Sequence, residues 1–266
     1  MNKKLGFIGC GNMAKAIMGG IINSGLLKPE EIVAADVTRA ALEKAQDALK
    51  ISISQNNTEV AAGCEVLVLS VKPQFYPSVI QEISPFVAES TVVVTIAPGQ
   101  TLKKLEEMFG RTVKLVRTMP NTPAMVCAGM TAVCKNGLVT EQEFEYVCSL
   151  LNCFGKTEAV AEYMMDAVVA VSGSSPAYVY MMIEAMADAA VMGGMPRDKA
   201  YTFAAQAVLG SAKMVLETGM HPGALKDMVC SPAGTTIEAV KVLEEKGFRS
   251  SIIDAMQACI DKSRAL

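Results

Sequence analysis

A short apolar run at residues 4–8 ends in Gly9-Cys10-Gly11-Asn12-Met13-Ala14, and a helical pattern follows at once, with Met13, Ile17, Gly20 and Ile21 on one face. This junction constrains the fold more than any other stretch, because each small residue in Gly9-x-Gly11-x-x-Ala14 answers a separate steric demand. Gly9 permits a tight turn, Gly11 lets a backbone approach a pyrophosphate, and Ala14 keeps the helix close to a sheet. Phosphates placed there meet free N–H groups at a helix N-terminus. The pattern therefore points to a dinucleotide; the alternative is a glycine-tolerant turn in an α/β domain that binds something else.

The chain that follows alternates strand and helix. Residues 32–36 read as a second strand and 39–49 as a polar helix. Residues 66–71, Val-Leu-Val-Leu-Ser-Val, form a continuous apolar run bounded by turn signals, as expected of a strand buried on both faces. Residues 92–97 and 114–118 repeat the theme. Strands separated by helices imply a parallel sheet with crossover connections.

Asp36 ends the second strand, 22 residues after Ala14. A carboxylate there accepts both ribose hydroxyls of NADH and repels the 2′-phosphate of NADPH. Thr38 and Arg39 just beyond it suit that phosphate if Asp36 turns away, so both cofactors stay open, with a lean to NADH. Alternatively, Asp36 caps the helix that starts near Arg39. Three further strand ends, Val71-Lys72-Pro73, Ala97-Pro98-Gly99 and Met119-Pro120-Asn121-Thr122-Pro123, place Pro and Gly where open α/β sheets bind ligands. Asn121 and Thr122 are candidates for contact with a nicotinamide amide, whereas Pro98 and Pro123 read as turn chemistry.

A chain of 266 residues suggests about two domains. The change comes near residue 160, giving a dinucleotide-binding domain over 1–160 and an all-helical domain over 161–266. Helical patterns run over residues 165–171, 177–193, 196–217, a short stretch from Pro222, and 241–264. Met181, Met182, Ile183, Met186, Ala187, Ala190 and Val191 cover most of one helix's circumference, which demands burial on several sides and points to an oligomer. A net charge of −3 with interspersed signs gives no footprint for nucleic acid. No apolar run reaches ~18 residues, so no membrane span is expected. Gly9, Gly11 and Asn12 break the N-terminal apolar stretch and read against a signal peptide. The eight cysteines form no Cys-x-x-Cys pair and the single histidine is His221, so no metal site is expected. The cysteines read as reduced, mostly buried thiols of a cytoplasmic protein.

One stretch interrupts the helical half: Ser231-Pro232-Ala233-Gly234-Thr235-Thr236, leading into a helix start at Ile237-Glu238-Ala239-Val240. Small residues leave first-turn amides open to an anion, and no Lys or Arg lies in the loop, so it reads as a pocket for a small carboxylate. The alternative is a plain helix start with Thr235 as N-cap.

Taken together, these residues resemble the Δ1-pyrroline-5-carboxylate reductase family of proline biosynthesis, over essentially the whole length. The resemblance is carried by residues 7–14, Val71-Lys72-Pro73, residues 119–123, Ser172-Gly173-Ser174-Ser175-Pro176-Ala177-Tyr178, Gly193-x-x-Pro196-Arg197, His221-Pro222-Gly223-x-Leu225-Lys226-Asp227, Gly247-Phe248-Arg249 and above all residues 231–236. It implies an N-terminal Rossmann-type domain and a helical domain forming interlocked homodimers, often assembled into decamers. It implies cofactor contacts at Ile8, Gly9, Cys10, Gly11, Asn12, Met13, Asn57, Ser70, Val71, Lys72, Pro73, Ile96, Ala97 and Pro98. It places Ser231, Gly234, Thr235 and Thr236 around the substrate, a cyclic imino acid. The backbone of Thr235 and Thr236 then meets the carboxylate and the Thr236 hydroxyl, the catalytic candidate, reaches the ring nitrogen. NADPH or NADH supplies hydride to the imine carbon. Ala233 and Ser175 stand where the family usually has Gly, and Met228 where relatives are commonly polar. His221 either caps its helix or reaches the site. The runner-up is a β-hydroxyacid dehydrogenase-like oxidoreductase, although the helix from Ala177 holds Glu184 and Asp188 and no Lys. A non-catalytic nucleotide-sensing oligomer is the third reading.

Overall fold

The computed structural model describes residues 3–265. The chain divides into two compact units, one formed by the chain up to Ser174 together with the segment from Cys259 onward, the other by residues 175–258.

The first unit is built on eight strands. In chain order its elements are β1 (Lys3–Ile8), α1 (Asn12–Ser24), β2 (Ile32–Ala35), α2 (Arg39–Leu49), β3 (Ser52–Ser54), α3 (Asn57–Ala62), β4 (Cys64–Leu69), α4 (Tyr76–Ile83), β5 (Val92–Thr95), α5 (Leu102–Phe109), β6 (Lys114–Met119), β7 (Gly129–Lys135), α6 (Glu141–Asn152), β8 (Gly155–Ala159) and α7 (Met165–Val168). The strand order is β3-β2-β1-β4-β5-β6-β7-β8. All neighbours are parallel except β6 and β7. The order reverses between β1 and β4, and a crevice opens at the carboxyl ends of strands where this happens.

The apolar runs are continuous because successive residues serve two cores. Leu5, Phe7, Val66, Val68, Val92 and Val94 face one side, where they meet α1, α2 and α6. Ile8, Leu67, Leu69 and Val93 face the other, where they meet α3, α4 and α5. Such a strand gains burial from every residue, at roughly 25 cal/mol per Å² of apolar surface. Gly20 lets α1 approach closely, since a Cβ there would fall 2.7 Å from Phe154 Cβ.

Three strands escaped the sequence reading. β3 and β8 are polar edge strands, and β7 follows a turn with no apolar run before it. β8 closes the stretch expected as the first domain. The segment beyond it packs into the first unit, with Met165 buried in that core. Glu162 fixes its start, accepting from Arg117 Nη1 (3.0 Å) and from the Leu102 amide (2.7 Å).

The second unit is helical: α8 (Ser175–Met192), α9 (Arg197–Thr218), α10 (Pro222–Met228), α11 (Thr235–Glu245) and the greater part of α12 (Phe248–Arg264). The helix expected over 241–264 is two, because Gly247 adopts φ +72 and stops α11. α8 and α9 form an antiparallel pair whose turn is tied by Arg197 to Asp188. Within these two helices only Ala187, Ala200 and Ala204 are buried, while Met181, Met192, Phe203 and Leu216 are exposed.

Candidate functional site

The glycine turn sits at the crevice between β1 and β4. Gly9 adopts φ +98, a conformation that favours glycine, and its amide donates to Ala35 O at 2.8 Å. A Cβ at Gly9 would fall 2.7 Å from the Ser70 carbonyl, so the β4 end closes directly over it. Gly11 opens α1 with φ −74 and no side-chain cap, and a Cβ there would meet nothing within 4 Å. The first turn of α1 carries no acidic residue. Its amides lack intrahelical partners by geometry, so the positive end of the helix faces open space beside Gly11.

Ser70 ties the turn to the neighbouring strand, donating from Oγ to Gly9 O (2.7 Å) and Ile8 O (3.0 Å). Asp36 does the same from β2: Oδ2 accepts from the Cys10 amide (2.7 Å) and Oδ1 from the Thr38 amide (2.8 Å). It is therefore not the cap of α2, whose N-cap residue is Thr38 with no side-chain bond. Each carboxylate oxygen keeps a lone pair, and the charge stands at the entrance to the β2–α2 turn. The Cys10 amide is already used on Asp36. Burial pushes the Cys10 thiol up, helped by the Asp36 charge, so it stays neutral.

Two cavities flank the turn and share Val71. One, about 270 Å³, lies toward β2 and is lined by Gly9, Asp36, Val37, Asn57, Phe75 and Val79 among others. Val37 is 96% exposed and Phe75 50%, two apolar side chains left in solvent beside this cavity. Asn57 donates to Glu82 at the same rim (2.9 Å). The other cavity, about 250 Å³, lies toward β6 and is bounded by Met13, Ser70, Pro73, Ile96, Ala97, Met119 and Asn121, with Gly173. Lys72 stands exposed at the head of the 3-10 turn Pro73–Phe75. Thus the expected cofactor segments gather around one cleft.

Beneath the cleft lies a polar lattice that the sequence did not announce. Tyr76, fully buried, donates to Leu69 O (2.8 Å) and pairs with Thr95 Oγ1 (2.7 Å), while Thr118 Oγ1 donates to Thr95 O (2.8 Å). These bonds fix the ends of β4, β5 and β6. Burial pushes the Tyr76 phenol well up, so it is a fixed donor.

In the second unit, residues 231–234 form a turn closed by the Gly234 amide on Ser231 O (3.0 Å). Ala233 takes φ +56, the left-handed region, and carries a cost there that Gly would not. A Cβ at Gly234 would fall 2.4 Å from Ser231 Oγ and 3.1 Å from Ser231 O, so a side chain there would push the Ser231 hydroxyl aside. The N-cap of α11 is Gly234, without a side-chain bond, and Thr235 and Thr236 are the first two helical residues. Thr235 is therefore not the cap, and the helix starts two residues before Ile237. The first-turn amides of α11 are left for a ligand. His221 caps α10, its Nδ1 accepting from the Gly223 amide (3.0 Å).

All eight cysteines are free; Cys10, Cys64 and Cys134 are buried, four are half-buried and Cys127 is exposed. The expectation of mostly buried thiols therefore holds for three of them. Among the described residues no group of three or more His, Cys, Asp or Glu side chains is placed to hold a metal ion, and no helix is long and apolar enough to cross a membrane.

Residues 162–266 match the family described as pyrroline-5-carboxylate reductase dimerisation, and residues 4–99 that described as NADP oxidoreductase coenzyme F420-dependent. The chain is 54% identical over 266 residues to a pyrroline-5-carboxylate reductase of Escherichia coli (strain K12), covering 100% of this chain and 99% of the relative. It is 41% identical to one from Methanosarcina acetivorans, covering 100% and 98%. Among solved structures it is similar to the Plasmodium falciparum pyrroline carboxylate reductase with NADP bound, with a TM-score of 0.90 at 34% identity, covering 99% of this chain and 98% of that one.

Proposed function

The chain belongs to the pyrroline-5-carboxylate reductase family, and from that premise and the geometry above we infer that it reduces Δ1-pyrroline-5-carboxylate to L-proline with NADPH or NADH, the last step of proline biosynthesis. The observation that carries the reading is that one chain holds two uncapped helix N-termini opened by small residues. One, at Gly11, is open enough for a pyrophosphate; the other, at Gly234, suits a single carboxylate.

The cleft fits a dinucleotide: Gly11 leaves the space a side chain would fill, and cavities open on both sides of it. When bound, the reduced nicotinamide supplies the hydride that the imine carbon accepts. Everything else falls to the protein. Amides of Gly11, Asn12 and Met13 hold the pyrophosphate at the positive end of α1. Asp36 addresses the ribose, Ile8, Asn57 and the apolar pair Val37 and Phe75 hold the adenine half, and Lys72 adds positive charge at the mouth. Ser70, Val71, Pro73, Ile96 and Ala97 wall the nicotinamide half. Ser231 and Gly234 shape the turn that lets the Thr235 and Thr236 amides grip the substrate carboxylate. The Thr236 hydroxyl donates to the ring nitrogen, where a proton arrives as the C=N bond becomes C–N. His221 serves as the cap of α10, the proton comes from water or through that hydroxyl, and orientation supplies most of the rate.

The exposed apolar side chains of α8 and α9 support a homodimer formed through the second unit; we extend this to a decamer, and eight free cysteines support a cytoplasmic location. α8 carries no Lys, which argues against a hydroxyacid dehydrogenase, and an open carboxylate turn has no use in a nucleotide sensor.

The test is direct: mix protein, pyrroline-5-carboxylate and either NADH or NADPH, and follow loss of the reduced cofactor's absorbance. Imine-dependent oxidation with L-proline as product is expected. No oxidation with either cofactor, or equal oxidation with a 2-keto or 3-hydroxy acid, would end the reading.

A further inference from the structure

Asn121 is buried, and the protein engages both its amide nitrogen and its amide oxygen. Nδ2 donates to Ser172 O and to Ser172 Oγ, both at 3.2 Å, and Oδ1 accepts from the Met130 amide at 2.9 Å. Every one of these partners lies in the first unit. The sequence made Asn121 a candidate for contact with a nicotinamide amide; the structure shows a second task, tying together segments of the first unit.

Ser172 belongs to a π-helical turn, Val169–Gly173, which interrupts the helical run after α7. Such turns recur at functional sites because they displace backbone from the helical path. The next residue, Gly173, borders the cavity toward β6. It packs so closely that a Cβ there would fall 2.6 Å from Met119 Cε. Asn121 and Met119 thus hold the two sides of one wall. The rest of the segment is pinned away from the cleft: Asp166 Oδ1 accepts from Ser263 Oγ at 2.7 Å, and the Cys259 thiol lies 3.2 Å from Ser174 Oγ. The Asn121–Ser172 bonds join it to the cleft loop.

Resting on the nicotinamide cavity assigned above, we propose that Asn121 is a positioning residue: it latches the π-helical turn against Met119 and so fixes the wall that orients the nicotinamide, without contacting the cofactor through its side chain. A misplacement of about 1 Å costs hydride transfer on the order of a hundredfold, while most of a dinucleotide's binding comes from parts remote from the wall.

The experiment uses the full chain and reads two quantities: the dissociation constant of NADPH or NADH, and the single-turnover rate of cofactor oxidation by pyrroline-5-carboxylate per cofactor-binding site. Asn121→Asp, made together with Ser172→Ala so that no hydroxyl can turn to donate back, keeps the acceptor for Met130 and sets a repelling oxygen against the Ser172 carbonyl. Gly173→Ala pushes the same wall from the other side without removing a buried bond, and decides the matter if the first variant fails to fold. Both should slow the rate per site by tenfold or more with cofactor affinity changed less than about threefold. Ser172→Ala, which leaves the Ser172 carbonyl in place, should stay within about threefold of the parent rate. Two outcomes would overturn the latch: both wall variants keeping the parent rate per site, or losses matched by equal weakening of cofactor binding. A parent protein inactive on the imine would instead sink the function itself, so the two failures read differently.

Discussion

Two glycines separated by one residue should fail in opposite ways when each becomes alanine. At Gly9 the backbone sits at φ +98, where an L side chain costs about 1–2 kcal/mol. The added methyl would also fall 2.7 Å from both the carbonyl carbon and oxygen of Ser70 and 2.9 Å from the Val71 amide, all backbone atoms that cannot swing aside. Overpacking of this kind adds about 1–3 kcal/mol. Gly9→Ala should therefore destabilise the first unit by roughly 2–5 kcal/mol and lower its melting temperature by about 5–15 °C. At Gly11 φ is −74, which any residue adopts, and the methyl meets nothing within 4 Å. Loss of Gly at an N-cap costs only about 0.5 kcal/mol, so the fold should hold. The methyl does, however, fill the open space beside the α1 amides that the proposed function gives to the pyrophosphate. Losing a hydrogen bond to a charged group costs about 1.5–3 kcal/mol, a rise in cofactor Kd of roughly 10- to 150-fold. The chain has no tryptophan, so the fluorescence of NADPH or NADH itself reports binding cleanly, alongside thermal melts by circular dichroism. A Gly11→Ala protein that binds cofactor like the parent, or a Gly9→Ala protein that melts like it, would refute the reasoning at that position.

Other expectations follow from the same geometry. Thr236→Ala should lower turnover on the order of ten- to a hundredfold while the cofactor Kd stays near the parent value; full turnover would remove the hydroxyl from the mechanism. Asp36→Ser removes the charge facing a 2′-phosphate and should raise the NADPH-to-NADH ratio of kcat/KM about tenfold, measured with both cofactors in parallel; an unchanged ratio would show that Asp36 serves the glycine turn alone. Tyr76→Phe strands the Leu69 carbonyl and the Thr95 hydroxyl and should cost about 1–3 kcal/mol in denaturant unfolding, with little pH dependence near neutrality because burial keeps the phenol protonated. Partial desolvation opposes the charged form of Glu143, but hydrogen bonds from Lys114 and Thr140 outweigh it and hold this carboxyl below the usual range. Its contribution is present above the unfolded-state pKa and lost as pH falls through the lower folded value. Glu143→Gln keeps a capping-box acceptor for the Thr140 amide but loses the charge paired with Lys114, so it should cost about 0.5–1 kcal/mol at neutral pH, and the gap to the parent should close in acid; a gap constant with pH would contradict this.

Legibility in the sequence tracked the range of the interaction responsible. The β1–α1 junction and β4 were readable because burial on two faces and the glycine spacing are local demands that leave local signatures. β3 and β8 left none: an edge strand such as Gly155–Ala159 is half polar and paired on one side, and only its neighbour β7 makes it a strand. The α11–α12 break was visible as Gly247, yet the helical periodicity on both sides hid it. At the site, the residue types at Gly9, Gly11, Asp36 and Gly234 were legible, whereas their partners were not. Asp36 reaches 26 residues back to Cys10 and Asn121 reaches 51 residues on to Ser172, and no pattern in one sequence pairs residues so far apart. Val37 and Phe75 went unread for a different reason: an exposed apolar side chain gains meaning only beside a cavity.

The most direct measurement is a crystal structure of the protein with NADP⁺ and L-proline. The expected result is the proline carboxylate within hydrogen-bonding distance of the Thr235 and Thr236 amides, with its nitrogen within reach of the Thr236 hydroxyl. Proline bound elsewhere, with the turn at residues 231–236 empty in a dinucleotide-loaded protein, would contradict the assignment of that turn as the substrate's anchor.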